Sequence, residues 1–147
     1  MKTIQDGLKS ANLDMSIALI WIGQEQVRIA QAQVQCGYIE DALNTANLIK
    51  SSYGKSNALR EIAKAQAKGG DIDEALSTAN LITSSFYKSD ALKLIAQAQV
   101  GIAQEQAKGG DIPGALNTAN LITDPFYKNE ALTNIETKKK ERELKNG

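Results

Sequence analysis

The residues best suited to chemistry are carboxylates beside turns: Asp71 with Glu74, Asp111, and the neighbours Glu40 and Asp41. Such groups can work as general acid and base, or hold a metal, when they converge with a nucleophile or further ligands. The partners for that work are missing. The chain has no histidine and a single cysteine, Cys36, so it lacks the commonest general base and cannot assemble a zinc set. The Gly-Gly-Asp turns at 69–71 and 109–111 are not phosphate loops, because no strand precedes them and no Lys-Ser or Lys-Thr follows. Helix capping explains the carboxylates better. Asp71 and Asp111 stand where a side-chain oxygen can accept from the free amides of a new helix, and Asp71 with Glu74 has capping-box spacing. Glu40 and Asp41 fall in a first turn, where the helix dipole favours negative charge. Cys36 aligns with Gly69 and Gly109 at a helix end and reads as an incidental surface thiol. The sequence therefore favours no enzyme, and no catalytic residue, metal or cofactor is expected.

The elements that carry these residues are repeats. Residues 62–83 (IAKAQAKGGDIDEALSTANLIT) recur at 102–123 (IAQEQAKGGDIPGALNTANLIT), and a third copy occupies 29–50 (IAQAQVQCGYIEDALNTANLIK). The offsets are 33 and 40 residues, and the difference is one extra heptad, IAQAQVG, in the third unit. Seven residues lengthen a helix by about 10 Å while turning its apolar face by only about 20°. The first copy shows the same extension at an offset of 73, so long, short and long first helices are expected in turn. Gly69-Gly70 and Gly109-Gly110 supply the left-handed backbone that ends a helix, and Pro113 and Pro125 mark helix starts. Second helices are expected over 39–49, 72–82 and 112–122, with the first helices beginning near Tyr53, Phe86 and Phe126.

Helices of about twelve residues are marginal alone and need packing. In the second helix Ile72, Ala75, Leu76, Ala79 and Ile82 fall on one stripe, and in the first helix Leu59, Ile62, Ala63 and Gln66 share a face. Alanine, 20 of 147 residues, lets backbones approach closely. Residues 1–14 echo a second helix and are expected as a partial leading helix, followed by units at 16–50, 52–83 and 85–123. A polar capping helix is expected at 125–147, ending in the interspersed charges ETKKKEREL, either a solvated cap or a basic docking tail. No run reaches the length of a membrane span, Met15 to Gly23 (MSIALIWIG) reads as a buried helix and not as a signal segment, and a cytoplasmic location is expected.

The order Leu59, Ile62, Ala63, then Gly70-Asp71-Ile72, then Ala75, Ala79 and Ile82 resembles the tetratricopeptide repeat family, and similar sets in the other units extend the resemblance over nearly the whole chain. Gln66 and Ala79 stand where that family has large aromatics. The resemblance implies an all-α, right-handed solenoid of stacked antiparallel helix pairs, about seven or eight helices in one domain. It also implies a scaffold for protein recognition, with the partner on the concave face lined by first helices.

Four groups of residues are candidates for contact. Asn57, Arg60 and Lys64, with Lys93 and Gln97 of the next unit, form a polar face that is either a solvated surface or a grip for an acidic peptide. Gln33, Gln66 and Gln106 sit among apolar residues, so each needs a partner, either within a structural ladder to backbone and neighbouring repeats or in a ligand pocket. Leu48, Leu81 and Leu121 point away from their stripes; they either pack beneath Tyr53, Phe86 and Phe126 or form an exposed ridge for another chain. Around Trp21 the segment is apolar on all sides, so the leading segment or a second subunit must cover it. The expected function is a non-catalytic interaction module with a protein or peptide partner; the alternative is a self-assembling homo-oligomer. Lys plus Arg and Asp plus Glu balance at 17 each, which gives nucleic acid no electrostatic foothold.

Overall fold

In the computed structural model, residues 3–146 are described and form seven helices with no strand among them. They are α1 (Ile4–Gln35), α2 (Ile39–Leu48), α3 (Ser52–Lys68), α4 (Ile72–Asn80), α5 (Ser85–Lys108), α6 (Ile112–Asn120) and α7 (Pro125–Asn146). The extra heptad is visible as length: α5 has 24 residues and α3 has 17. The partial leading helix expected over 1–14 is not a separate element. Residues from Ile4 onward belong to one 32-residue helix, because no glycine pair or proline interrupts the run into Ile17. Gly7 and Gly23 stand within it, and no heavy atom would meet a Cβ at either position.

Turns follow the glycines. Gly37, Gly70 and Gly110 have φ of 82°, 90° and 91°, while Gly69 and Gly109, each one residue earlier, stay in the right-handed region. Gly70 N donates to Ala67 O at 3.1 Å and Asp71 N to Gln66 O at 2.9 Å, the paired bonds of a Schellman motif. The same pair closes α5, from Gly110 N to Ala107 O and from Asp111 N to Gln106 O. Caps differ between units. Asp111 Oδ1 accepts from Gly114 N at 2.9 Å, but Asp71 makes no side-chain cap, so the expected capping box with Glu74 does not form. A Cβ on Gly114 would overlap the Asp111 carboxylate, and Glu74 carries one at the equivalent place. The capping box belongs to Thr3 and Asp6 at the start of α1. There the Thr3 amide, helped by its hydroxyl, holds the Asp6 carboxyl below its ordinary value.

Each helix packs only on those one or two places along the chain. Odd-numbered helices touch in succession as a spine, and each even helix lies against the two odd helices that flank it without touching another even one. Alanine dominates the buried positions: Ala42, Ala46, Ala63, Ala75, Ala79, Ala103, Ala107, Ala115 and Ala119 are fully enclosed. The core is divided in two. Residues up to Ile95 form one cluster and residues from Ala96 form the other, so the two halves of α5 serve different cores.

Successive odd helices are staggered. Val27 of α1 lies level with Gly54 of α3, Arg60 of α3 with Asp90 of α5, and Gln97 of α5 with Tyr127 of α7. The stagger leaves two overhangs, and residues 4–22 of α1 are exposed without exception. At the other end, Arg142 Nη1 of α7 donates to Lys108 O at 3.2 Å and so caps the C-terminus of α5.

Alanine substitution separates the two turn glycines. Gly70→Ala should cost about 1–2 kcal/mol for the left-handed backbone alone. At Gly110 a Cβ would also stand 2.6 Å from Arg142 Nη2 and displace it from the α5 cap, so Gly110→Ala should lower the urea midpoint further than Gly70→Ala does.

Candidate interaction site

The polar face of the first helices is mostly internal wiring. Arg60 Nη1 donates to Asp90 Oδ2 at 2.9 Å, and its Nη2 donates to Glu61 Oε1 at 2.8 Å and to Asn57 Oδ1 at 3.1 Å. Its guanidinium also lies 5.3 Å from the ring centre of Tyr87. Arg60 thus ties α3 to α5 and has little left for an acidic peptide, although its buried Nε has no partner. Gln97, exposed, donates through Nε2 to the Tyr127 hydroxyl at 3.2 Å and ties α5 to α7. Lys64 is half-buried, and Lys93 is exposed beside Phe86 and Asp90. The structure therefore divides the five expected contact residues: Asn57 and Arg60 serve the α3–α5 junction, Gln97 serves the α5–α7 junction, and Lys64 and Lys93 make no hydrogen bond among the described residues.

Tyrosines fill two of those junctions. Tyr87 and Tyr127 are each about 8% exposed and occupy equivalent positions at the starts of α5 and α7. The Tyr87 ring meets Tyr53 edge-on at 4.9 Å between centroids. The Tyr53 hydroxyl beside it, then burial, push the Tyr87 phenol above its ordinary value, with the Arg60 charge pulling the other way.

The repeated glutamines are structural in two units. Thr45 Oγ1 donates to Gln33 Oε1, and Thr118 Oγ1 to Gln106 Oε1, each at 2.7 Å, linking the first and second helices of one unit. In the middle unit Gln66 Oε1 is buried and has no hydrogen-bond partner. The partner is a threonine of the same unit, where sequence reasoning looked to backbone or neighbouring repeats. The threonines recur at an interval of twelve residues after each glutamine, a signal that was available in the sequence.

The apolar candidates stand out in solvent. Leu48, Leu81 and Leu121 are 67%, 57% and 72% exposed, and Tyr53, Phe86 and Phe126 are no better covered, so packing of the leucines beneath the aromatics is corrected to an exposed ridge. Trp21 is 66% exposed. The leading segment does not cover it, because that segment continues the same helix. Cys36 is the C-cap residue of α1, bonded there through its backbone amide, and its thiol is exposed and free.

Sequence reasoning missed the groove where α1 overhangs the start of α3. It encloses about 990 Å³ between Leu19, Ile20, Gly23, Gln24 and Val27 on one side and Leu48, Tyr53, Gly54 and Asn57 on the other. Arg28 and Lys50 also line it. Its volume is that of a site for a small molecule or a few side chains. The stagger of α1 against α3 creates it, and a sequence pattern has no term for stagger.

Among the described residues, no group of three His, Cys, Asp or Glu side chains could hold a metal ion, and no helix is long and apolar enough to cross a membrane. No family model, curated protein or solved structure matches the chain.

Four substitutions test this wiring. A double-mutant cycle between Arg60→Ala and Asp90→Ala should give a coupling of about 0.5–1 kcal/mol in chemical denaturation, because the pair is only partly shielded. Gln106→Leu should destabilise by about 1 kcal/mol by orphaning Thr118, whereas Gln66→Leu should be neutral or stabilising, because it removes a buried oxygen that already lacks a donor.

Proposed function

We propose that the chain is a non-catalytic interaction module, a right-handed stack of helix pairs similar to tetratricopeptide arrays, that binds a protein or peptide partner on the face lined by its first helices. The observation that carries this reading is the apolar groove between α1 and α3, continuous with the exposed length of α1. Leu19, Ile20 and Ile22 are 52%, 59% and 54% exposed at its wall, and a cluster of that kind costs free energy in water unless something covers it. The binding surface moves accordingly from the polar face, where Arg60 serves the fold, to the apolar wall of α1 and the floor made by Tyr53 and Leu48. Arg28 and Lys50 leave room for an acidic residue on the partner at the rim.

Self-assembly is the second reading, and one observation favours it. Ile4, Leu8, Ala11, Met15, Ala18 and Ile22 are spaced by four, three, four, three and four residues, and all are exposed. That is the spacing of a coiled-coil seam, and two copies running in opposite directions could set Leu8 over Ala18 and Met15 over Ala11, with Ile4 meeting Ile22 at the ends.

Ile20→Asp places a charge in the groove at an exposed helical site, so the melting temperature should hold within a few degrees while capture of a binding partner falls at least tenfold. Capture that survives Ile20→Asp but is lost on reversing the charge of Lys64 would return the site to the polar face. Light scattering that shows a strict monomer at high concentration would remove the self-assembly reading.

A further inference from the structure

Two of the three junctions between odd helices receive a tyrosine from the start of the later helix, and the third does not. At the start of α7 Tyr127 enters the junction with α5, and its hydroxyl receives the Gln97 amide at 3.2 Å. At the start of α5 Tyr87 enters the junction with α3 and packs on Tyr53 and Arg60. The equivalent position at the start of α3 is Gly54, 73 residues before Tyr127 and 33 before Tyr87. Around that glycine the receiving side chains are nonetheless present. Gln24 stands 73 residues before Gln97 and Val27 the same distance before Val100, and both line the groove. Among the described residues Gln24 makes no hydrogen bond through its side chain.

We infer that the groove between α1 and α3 is a receptor for a tyrosine side chain carried by a partner polypeptide, its ring between Ile20, Val27 and Tyr53 and its hydroxyl on Gln24. This rests on the interaction reading above and specifies its chemistry. The aromatic has to come from outside. Residue 54 has no side chain to offer, and a Cβ there would already stand 3.3 Å from Ile49 Cγ2 and 3.4 Å from Val27 Cγ2. Glycine draws the backbones together there and leaves the volume beside them open. Of the amides that line the groove, Gln24 is the one that repeats the position of Gln97, and a hydrogen bond to it discriminates by the hydroxyl: phenylalanine gains the same packing and forgoes that bond.

The test uses the whole chain and two probes, N-acetyl-tyrosinamide and N-acetyl-phenylalaninamide, followed by the backbone amide NMR signals of Gly23, Gln24 and Gly54. Both probes should saturate, with tyrosinamide bound roughly five-fold more tightly, the worth of one neutral hydrogen bond. Gln24→Leu should bring the two affinities together. Gly23→Leu, at a half-buried site where a Cβ meets nothing, should block both probes while the fold is retained. Absence of saturable shifts, or a preference for tyrosine that survives Gln24→Leu, overturns the inference. So does a dimer by light scattering that tyrosinamide fails to displace, since the groove then belongs to a second copy. If Ile20→Asp abolishes capture of a protein partner while the probes show no preference for tyrosine, only this inference fails and the broader interaction reading stands.

Discussion

Close approach of helix backbones across alanine is the constraint on which the molecule depends. The helices of nine and ten residues are too short to persist alone in water, and each must be held by the two odd helices beside it. A buried alanine contributes less transfer free energy than leucine, so stability has to come from many contacts at short range. Ala42, Ala46, Ala75, Ala79, Ala115 and Ala119, all fully enclosed on the short helices, make that approach possible. The larger side chains that remain, Leu59, Ile62, Ile95 and Ile135, lie on the odd helices and fill the space between successive units.

Once the backbones are close, each junction along the spine needs its own seal, and the three seals differ in chemistry. The α3–α5 junction is closed by Tyr87 with the Arg60–Asp90 pair, and the α5–α7 junction by Tyr127 with Gln97. The α1–α3 junction has Gly54 and Val27 instead, with open volume alongside. Polar residues on the first helices are therefore spent on joining units in two of the three places. The third place has a seal that is apolar and incomplete, next to a length of α1 that no described residue covers.

Local signals made the repeats, the helix order and the turn glycines legible. Glycine ends a helix and proline begins one for reasons confined to a few residues, and heptad arithmetic carries directly into the greater length of α5 over α3. The polar face was legible as a set of residues but not as a role. Arg60 and Asp90 are 30 positions apart and meet only through the stagger of α3 against α5, so the helical wheel of either helix shows a free charge. The leucine ridge was legible as an alternative, and only packing distinguished an exposed Leu81 from one beneath Phe86. The missing capping bond at Asp71 is a matter of side-chain placement, since Asp71 and Glu74 have the residues and spacing of the motif.

The sequence alone determined that this protein is a helical repeat chain with no histidine and one cysteine, because periodicity, breakers and residue inventory are local or additive properties. Tertiary structure alone decided how far each odd helix slides along the next, and therefore which side chains pair, which apolar residues stay in water and where a groove opens. Sliding is set by the packing of alanine and tyrosine between helices, a sum over contacts distant in the chain that no window of neighbouring residues contains.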